Sequence, residues 1–176
     1  ADPPRSRKTK EASAAVLVDN RPGSGASDTE GCGSGGGAKP CRTVGFGARA
    51  LRPDDEPKYL NSPETPIYHK SSVLYGLNWT RDEVRQGDCA IVVEGYMDLL
   101  SIVQAGVAPV VATSGTALTE HHCRILARYA QRAVLLFDGD AAGSAAAGRG
   151  IEVLLATGLD SRVVALPAGS DPDSFV

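Results

Sequence analysis

CAIVVE at residues 89–94 decides the fold, because this short apolar run is followed at once by a helix-forming stretch and then by further apolar runs. The helical segment YMDLLSIVQAG ends at Gly106, and the later runs are PVVAT from Pro109, RAVLLF from Arg132 and SRVVAL from Ser161. Strands that alternate with helices predict right-handed βαβ units, and continuously apolar strands predict a sheet covered on both faces. We therefore expect an α/β fold with a Rossmann-like parallel sheet of about four strands.

Helix signals lie between these predicted strands. Thr119 is a suitable N-cap for a helix through Tyr129. The stretch DGDAAGSAAAGRGIEVLLATG predicts a turn followed by a helix that ends at Gly158. Its run of Ala and Gly after Asp140 would let the helix pack close to the sheet, which would hold the helix N-terminus near the sheet edge.

The chain ahead of this sheet divides into two parts. Residues 1–42 are mostly small and polar, and they predict a disordered or linker arm in which only Ala14–Val18 could form a short strand. Residues 43–87 predict a small mixed α+β subdomain with a β-like stretch, a proline-rich turn region and one or two short helices that end at Gly87. We expect residues 88–176 to form the α/β domain with the parallel sheet.

The net charge of −3 hides an asymmetry along the chain. Residues 1–52 hold nine basic and five acidic side chains, whereas residues 53–176 hold nine basic and sixteen acidic ones. An acidic body is compatible with divalent cations, and a basic front segment could contact phosphate. No apolar run approaches roughly 20 residues and the first residues lack an apolar signal region, so we expect a cytoplasmic protein with no membrane contact.

Acidic residues follow three of the four predicted strands. Glu94 follows the first, Asp138 and Asp140 follow the third, and Asp171 and Asp173 follow the fourth after a short loop. The carboxyl ends of parallel strands share one edge of the sheet, where ligands bind. Carboxylates gathered there repel one another unless a cation neutralises them, and oxygen ligands favour Mg²⁺ or Mn²⁺. The pattern predicts a phosphoryl-transfer site with one or two ions.

Each of these motifs taken alone has a structural interpretation. Glu94 could be a solvated loop residue, Asp140 could cap the following helix, and DPD from Asp171 could be a turn and helix start. Their joint occurrence at successive strand ends favours a metal site. His121 and His122 lie at a helix start and are expected to face solvent rather than bind a metal. The four cysteines lack zinc-site spacing, so we expect no zinc.

A family resemblance rests on longer motifs. VVEGYMDLL, LLFDGDAAG and the final DPDSFV resemble the Toprim module, which primases, topoisomerases and related nucleases share. VGFGARAL, KYLNSPETPIYHKSSVLYGL and ATSGTALTEHH are similar to the catalytic core of bacterial DNA primase, and the likeness runs from about Thr43 to Val176. The resemblance implies synthesis of short RNA primers on single-stranded DNA by divalent-metal-dependent ribonucleotidyl transfer.

The same resemblance implies a set of functional residues. The catalytic metal ligands of the family match Glu94, Asp138 and Asp140. Other acids of the family's cluster match Asp98, Asp171 and Asp173. The basic and polar groups that contact template phosphates or the incoming nucleotide match Arg49, Lys58, Tyr59, Asn61 and Lys70. The implied partners are single-stranded DNA, ribonucleoside triphosphates and, through regions absent here, a replicative helicase, with the chain itself a monomer.

Two other functions stay open on the sequence. The first is a different Toprim enzyme, one that cleaves DNA. Such an enzyme would require a catalytic tyrosine elsewhere or a linked ATPase, and the chain has no GxxxxGK[ST] loop of the kind that binds ATP. The second is a non-catalytic remnant that binds metal or single-stranded DNA. Reaction products separate the three, because a primase makes RNA, a nuclease or topoisomerase breaks DNA, and a remnant does neither.

Overall fold

The computed structural model of the protein describes residues 12–19, 42–50, 57 and 59–176, which form two β-sheets and the helices around them. The first sheet is antiparallel in the order β1-β2-β3, and its strands are Ala12–Asp19, Arg42–Ala50 and Tyr59–Asn61. The second sheet is parallel in the order β5-β4-β6-β7, and its strands in chain order are β4 Cys89–Val93, β5 Val110–Ala112, β6 Arg132–Leu136 and β7 Asp160–Val164.

Helices follow the strands of the parallel sheet as the sequence predicts. A short 3-10 helix at Lys70–Ser72 precedes the parallel sheet, and the α-helices are α1 Leu77–Gly87, α2 Tyr96–Gln104, α3 Glu120–Leu126, α4 Ala141–Ala156 and α5 Pro172–Phe175. The predicted α/β class and the four-stranded parallel sheet are therefore confirmed. No helix within the described residues is both long enough and apolar enough to cross a membrane.

The strand β1 differs from the arm predicted for residues 1–42. Ala12–Asp19 pairs antiparallel with β2, so this part of the predicted arm is a strand. The sequence allowed a short strand at Ala14–Val18, which lies within β1, but a strand needs a partner for its backbone N–H and C=O groups. That partner begins at Arg42, beyond a Gly/Ser-rich segment, and short-range patterns do not reveal such a pairing.

The parallel sheet is covered on both faces, as its continuously apolar strands predict. Val92 of β4 packs in a core with residues of α1, α3 and α4, including Val84, Leu126 and Leu154. Val93, the next residue along, packs on the opposite side with residues of α2, including Leu99. Because its four strands all run parallel, their carboxyl ends share one edge of the sheet, and the loops that carry the site leave from that edge.

Strand order creates a crevice between β4 and β6. These strands are neighbours, but β4 is followed by α2 and leads to β5 on one side, whereas β6 is followed by α4 and leads to β7 on the other. Their following helices lie on opposite faces of the sheet. Such a change of direction opens a crevice at the carboxyl ends of the two strands, where α/β proteins bind ligands.

The antiparallel sheet and the segment after it pack onto the parallel domain. Tyr75 forms an isolated antiparallel bridge with Ala112 of β5, with two backbone hydrogen bonds of 2.9 Å. Gly47 of β2 lies so close to α2 that a Cβ there would stand 3.1 Å from the Tyr96 ring. The first subdomain therefore sits beside the start of α2, next to the end of β4.

Candidate active site

Glu94 and the two aspartates after β6 lie at the carboxyl edge of the sheet, within range of one another's charges. Glu94 directly follows β4. Phe137 is the first residue after the neighbouring strand β6, and Asp138 comes next. Burial raises the pKa of Glu94, the charges of Asp138 and Asp140 raise it further, and Arg149 opposes the shift. The three acids predicted to be catalytic thus share one electrostatic environment, in which repulsion disfavours full ionisation.

Gly139 between the two aspartates ties this edge to the loop after β7. A Cβ at Gly139 would stand 2.2 Å from the carbonyl oxygen of Pro167, so no larger residue fits without a backbone shift. Its N–H donates to the carbonyl of Ser170 at 2.8 Å. Because Asp171 follows Ser170, this contact brings the acids of the DPD turn to the same edge as Asp138.

Asp140 and Asp171 both cap helices. Asp140 accepts a hydrogen bond of 2.7 Å from the N–H of Gly143 at the start of α4. Asp171 accepts one of 2.8 Å from the N–H of Ser174 at the start of α5. The structural role that the sequence offered as an alternative is therefore present. It fixes the direction of each carboxylate, and it is compatible with a role in the site.

Asp98 lies in the first turn of α2, four residues after Glu94, and belongs to the same cluster of acids. Burial raises its pKa to about 6, the N–H of Gly95 opposes the shift by donating to the carboxylate at 3.1 Å, and Asp138, Asp171 and Asp173 raise it further. Asp173 accepts a hydrogen bond from the Ser101 hydroxyl of α2. Asp138 and the two acids predicted from the fourth strand end, Asp171 and Asp173, therefore all act electrostatically on Asp98 of α2.

The donor set of this edge consists of carboxylate oxygens, which suits a hard divalent cation. In the conformation described for residues 43–50 and 59–176, no three acidic, histidine or cysteine side chains are grouped closely enough to hold one ion together. Burial is the main cause of the raised pKa values of Glu94 and Asp98, and repulsion from neighbouring acids adds to it; a bound cation would stabilise the ionised forms against both effects. The residues present therefore fit a metal by their chemistry.

Arg49 and Tyr59 of the antiparallel sheet lie beside the acids. They are partners in the β2–β3 pairing, with the Arg49 guanidinium 5.9 Å from the centre of the Tyr59 ring. The Tyr59 ring stands 5.6 Å from that of Tyr96 in an edge-on arrangement. Burial raises the pKa of Tyr59, Arg49 opposes the shift, and Asp98, Asp138 and Asp173 raise it further. Lys58, predicted with them, lies outside the described residues.

Asn61 joins the two subdomains by reaching the loop after β5. Its amide nitrogen donates to the carbonyl of Ser114 at 3.3 Å, and Ser114 itself has a left-handed backbone with φ 56°. Within the part of the chain that the structure describes, four buried side-chain atoms at this junction have no hydrogen-bond partner: Arg49 Nε, Asn61 Oδ1, Tyr96 Oη and Ser114 Oγ. The sequence singled out Arg49 and Asn61 but not Tyr96 or Ser114, whose only signal is their position after a strand end.

Lys70 and the two histidines are placed differently from one another. Lys70 begins the 3-10 helix, and its N–H donates to the Glu64 carboxylate at 3.0 Å. His121 is exposed, as expected. His122 is fully buried, so the prediction that it faces solvent was wrong. The reason is that its ring serves as the hydrogen-bonding partner of backbone groups from two segments, which a sequence pattern does not show.

Comparison with known families gives two matches along the chain. Residues 38–81 match the family described as "DNA primase catalytic core, N-terminal domain". Residues 91–176 match the family described as "Toprim-like". The Toprim domain of primases is a divalent-metal-binding fold.

Individual DNA primases and solved primase structures also match this chain, over about three quarters of its length. A DNA primase of Clostridium acetobutylicum is 48% identical over 136 residues, which are 77% of this chain and 22% of the relative. A DNA primase domain from Pseudomonas aeruginosa is 48% identical with a TM-score of 0.71, and the match covers 77% of this chain and 43% of that one. A DnaG primase catalytic domain bound to single-stranded DNA is 42% identical with a TM-score of 0.69, over 77% and 43% of the two chains.

The chain thus spans about a fifth of the length of the curated relatives it matches and under half of the catalytic-core structures. The matches begin in the first subdomain and continue through the parallel sheet, so they include both sides of the site. The chain therefore belongs to the DNA primase family and corresponds to part of the primase catalytic core.

Proposed function

We propose that this chain provides the metal-binding site of a primase, which makes short RNA primers on single-stranded DNA by ribonucleotidyl transfer. The observation that carries the proposal is the position of Glu94, Asp138 and Asp140 just after the neighbouring strands β4 and β6. The two aspartates add to the burial that raises the pKa of Glu94. The primase domain solved with single-stranded DNA supports the choice of template, because it matches this chain on both sides of the site.

We assign the roles by position in the site. Glu94, Asp138 and Asp140 would hold one or two Mg²⁺ or Mn²⁺ ions, and the further acids of the cluster are Asp98, Asp171 and Asp173. When bound, such an ion would supply charge neutralisation at the phosphates and would lower the pKa of the attacking hydroxyl. Phosphate and nucleotide contacts belong to Arg49, Lys58, Tyr59, Asn61 and Lys70. No zinc is involved in this part of the protein.

The reaction requires no nucleophile from the protein. The 3′-hydroxyl of one ribonucleotide attacks the α-phosphate of the next, and pyrophosphate leaves. Arg49 would attract the triphosphate or the template backbone, and the edge-on stack of Tyr59 on Tyr96 would keep Tyr59 in place beside the acids. Residues 43–87 would form the template side of the site and residues 88–176 the metal side. The protein would act in the cytoplasm as a monomer, alongside a replicative helicase that other regions bind.

The test is primer synthesis from ribonucleoside triphosphates on a single-stranded DNA template with Mn²⁺. Glu94→Gln should abolish synthesis, because the amide keeps the size of the side chain but removes an anionic ligand. Glu152→Gln makes the same chemical change at an exposed position of α4 and should retain wild-type yield. Unchanged primer yield in Glu94→Gln would refute the assignment, and cleavage of the DNA template in the same reaction would indicate a nuclease instead.

A further inference from the structure

His122 holds two backbone groups from segments that are far apart in sequence. Its Nε2 lies 2.8 Å from the carbonyl oxygen of Lys70, and its Nδ1 lies 3.3 Å from the backbone nitrogen of Thr119. The side chain is fully buried. The ring therefore bridges the first turn of α3 to the segment that carries Lys70.

Hydrogen-bond chemistry fixes the protonation state of this ring. The Lys70 carbonyl can only accept, so Nε2 must carry the hydrogen; the Thr119 N–H can only donate, so Nδ1 must offer its lone pair. His122 is accordingly neutral, with its proton on Nε2. Burial, which lowers its pKa to about 4, agrees with this state. A glutamate at this position of the capping box could accept from Thr119, but it could not donate to Lys70.

Lys70 is held by side chains on both of its backbone groups. Its N–H donates to the Glu64 carboxylate at 3.0 Å, while its carbonyl accepts from His122 at 2.8 Å. The hydroxyl of Thr119 donates to the carbonyl of Ser71, the next residue, at 2.8 Å. Three side chains thus fix the backbone of a two-residue segment, and such a restraint limits where the Lys70 side chain can reach.

The restraint lies at the edge of the sheet that carries the acids. α3 begins after the loop that leaves the carboxyl end of β5, and in that loop the N–H of Gly115 donates to the carbonyl of Glu94 at 3.4 Å. The first turn of α3 therefore connects the Glu94 end of the site to the Lys70 segment. His122 is the residue in that turn that contacts Lys70.

We propose that His122 is a positioning residue that holds Lys70 for contact with the phosphates of the template or the nucleotide. The proposal rests on the proposed function, because it requires that Lys70 binds phosphate. His122 itself does not touch the substrate; it acts through the Lys70 backbone.

Two variants at this position separate positioning from packing. His122→Gln can place an amide N–H where Nε2 stands and keep the bond to Lys70. His122→Asn places its amide where Nδ1 stands, so it keeps the bond from Thr119 and loses Lys70. Both remove the imidazole from the core, and each serves as the packing control for the other. Lys70→Ala and the double variant Lys70→Ala/His122→Asn complete the set.

The measurement is the affinity for a single-stranded DNA oligonucleotide and for a ribonucleoside triphosphate with Mn²⁺, taken at a temperature where every variant is folded. His122→Asn should weaken binding of the same ligand whose binding Lys70→Ala weakens, and by nearly the same factor. The affinities of His122→Gln should stay near those of the wild type. The double variant should bind as Lys70→Ala alone does. For single-stranded DNA, the magnitude of the slope of log affinity against log salt should fall by about 0.7 in His122→Asn and in Lys70→Ala, because each loses one phosphate contact.

Equal weakening by His122→Asn and His122→Gln would overturn the proposal in favour of a packing role, as would additive losses in the double variant. A nitrogen NMR spectrum of the imidazole that places the proton on Nδ1 would overturn it as well. If Lys70→Ala leaves both affinities unchanged while Glu94→Gln still abolishes synthesis, the primase function stands and the role of Lys70, with this inference, fails.

Discussion

At the scale of single residues, two acids of the candidate site, Glu94 and Asp98, have raised pKa values. Burial and neighbouring acids raise the pKa values of both Glu94 and Asp98, so their ionised forms are less favourable in the folded chain than in water. Acids placed for stability usually have lowered pKa values, because they contact bases or backbone N–H groups. The ionised forms of Glu94 and Asp98 are therefore ones that a bound cation would stabilise.

Asp98→Asn should stabilise the metal-free protein at pH 8. The folded pKa of about 6 lies above the ordinary aspartate value of 3.8, so the aspartate contributes stability below pH 3.8 that is lost as the pH rises through 6. Asparagine does not ionise, and its oxygen can still accept from the N–H of Gly95. We expect a gain of roughly 2 kcal/mol at pH 8, which shrinks toward zero near pH 4.

Urea unfolding in the presence of a chelator, at pH 8 and at several values down to 4.5, measures this difference. Asp160→Asn is the control, since it neutralises an exposed aspartate at the amino end of β7 and should show no such pH-dependent gain. A loss of stability at pH 8 in Asp98→Asn would contradict the picture of mutually repelling acids.

At the scale of secondary-structure elements, α4 shows how small residues bring a helix to the site. A Cβ at Gly143 would stand 2.2 Å from the carbonyl oxygen of Asp138, and one at Gly150 would stand 2.7 Å from Cδ1 of Leu135. The helix can therefore approach β6 closely only because these positions lack side chains. The Ala/Gly-rich pattern in the sequence predicts this close packing, and the structure confirms it.

Gly143→Ala should destabilise the protein and disturb the site, whereas Gly148→Ala should stabilise it. Both residues lie in α4, but a Cβ at Gly148 meets nothing within 4 Å. Alanine at Gly148 should gain about 0.5–1 kcal/mol from helix propensity. At Gly143 the clash with the Asp138 backbone should outweigh that gain. Thermal unfolding of the two variants measures both effects, and equal gains in both would show that α4 does not depend on the close approach.

At the scale of the whole molecule, strand order decides which acids meet. β4 and β6 are neighbours, so Glu94 and Asp138 lie at adjacent strand ends, while β7 lies next to β6 and the Gly139–Ser170 contact brings Asp171 near. β5 lies on the far side of β4 and carries no acid at its end. The same arrangement leaves the antiparallel sheet beside the start of α2, next to the acids.

Mn²⁺ should raise the melting temperature of the chain in a saturable way. A ligand at one hundred times its Kd contributes about 2.7 kcal/mol, which corresponds to roughly 5–10 °C for a chain of this size. The double variant Asp138→Asn/Asp140→Asn should lose the effect, although Asn at position 140 can still cap α4. Thermal unfolding across a Mn²⁺ titration provides the measurement.

The control double variant Asp82→Asn/Asp160→Asn removes two exposed carboxylates away from the site and should respond to Mn²⁺ as the wild type does. Absence of any Mn²⁺ effect on a cooperatively folding wild type would show that the acids do not form a common site. A rise that persists in Asp138→Asn/Asp140→Asn would place the metal elsewhere.

The sequence by itself determined the α/β class, the succession of strands and helices after Cys89 and the acids at three strand ends, because these depend on local periodicity and on residues next to one another in the chain. Only the tertiary structure decided that β4 and β6 are neighbours, that Ala12–Asp19 pairs with β2, and that His122 is buried against Lys70. Each of these depends on a partner many residues away, and the free energy of such a pairing comes from backbone hydrogen bonds and burial that no local pattern contains.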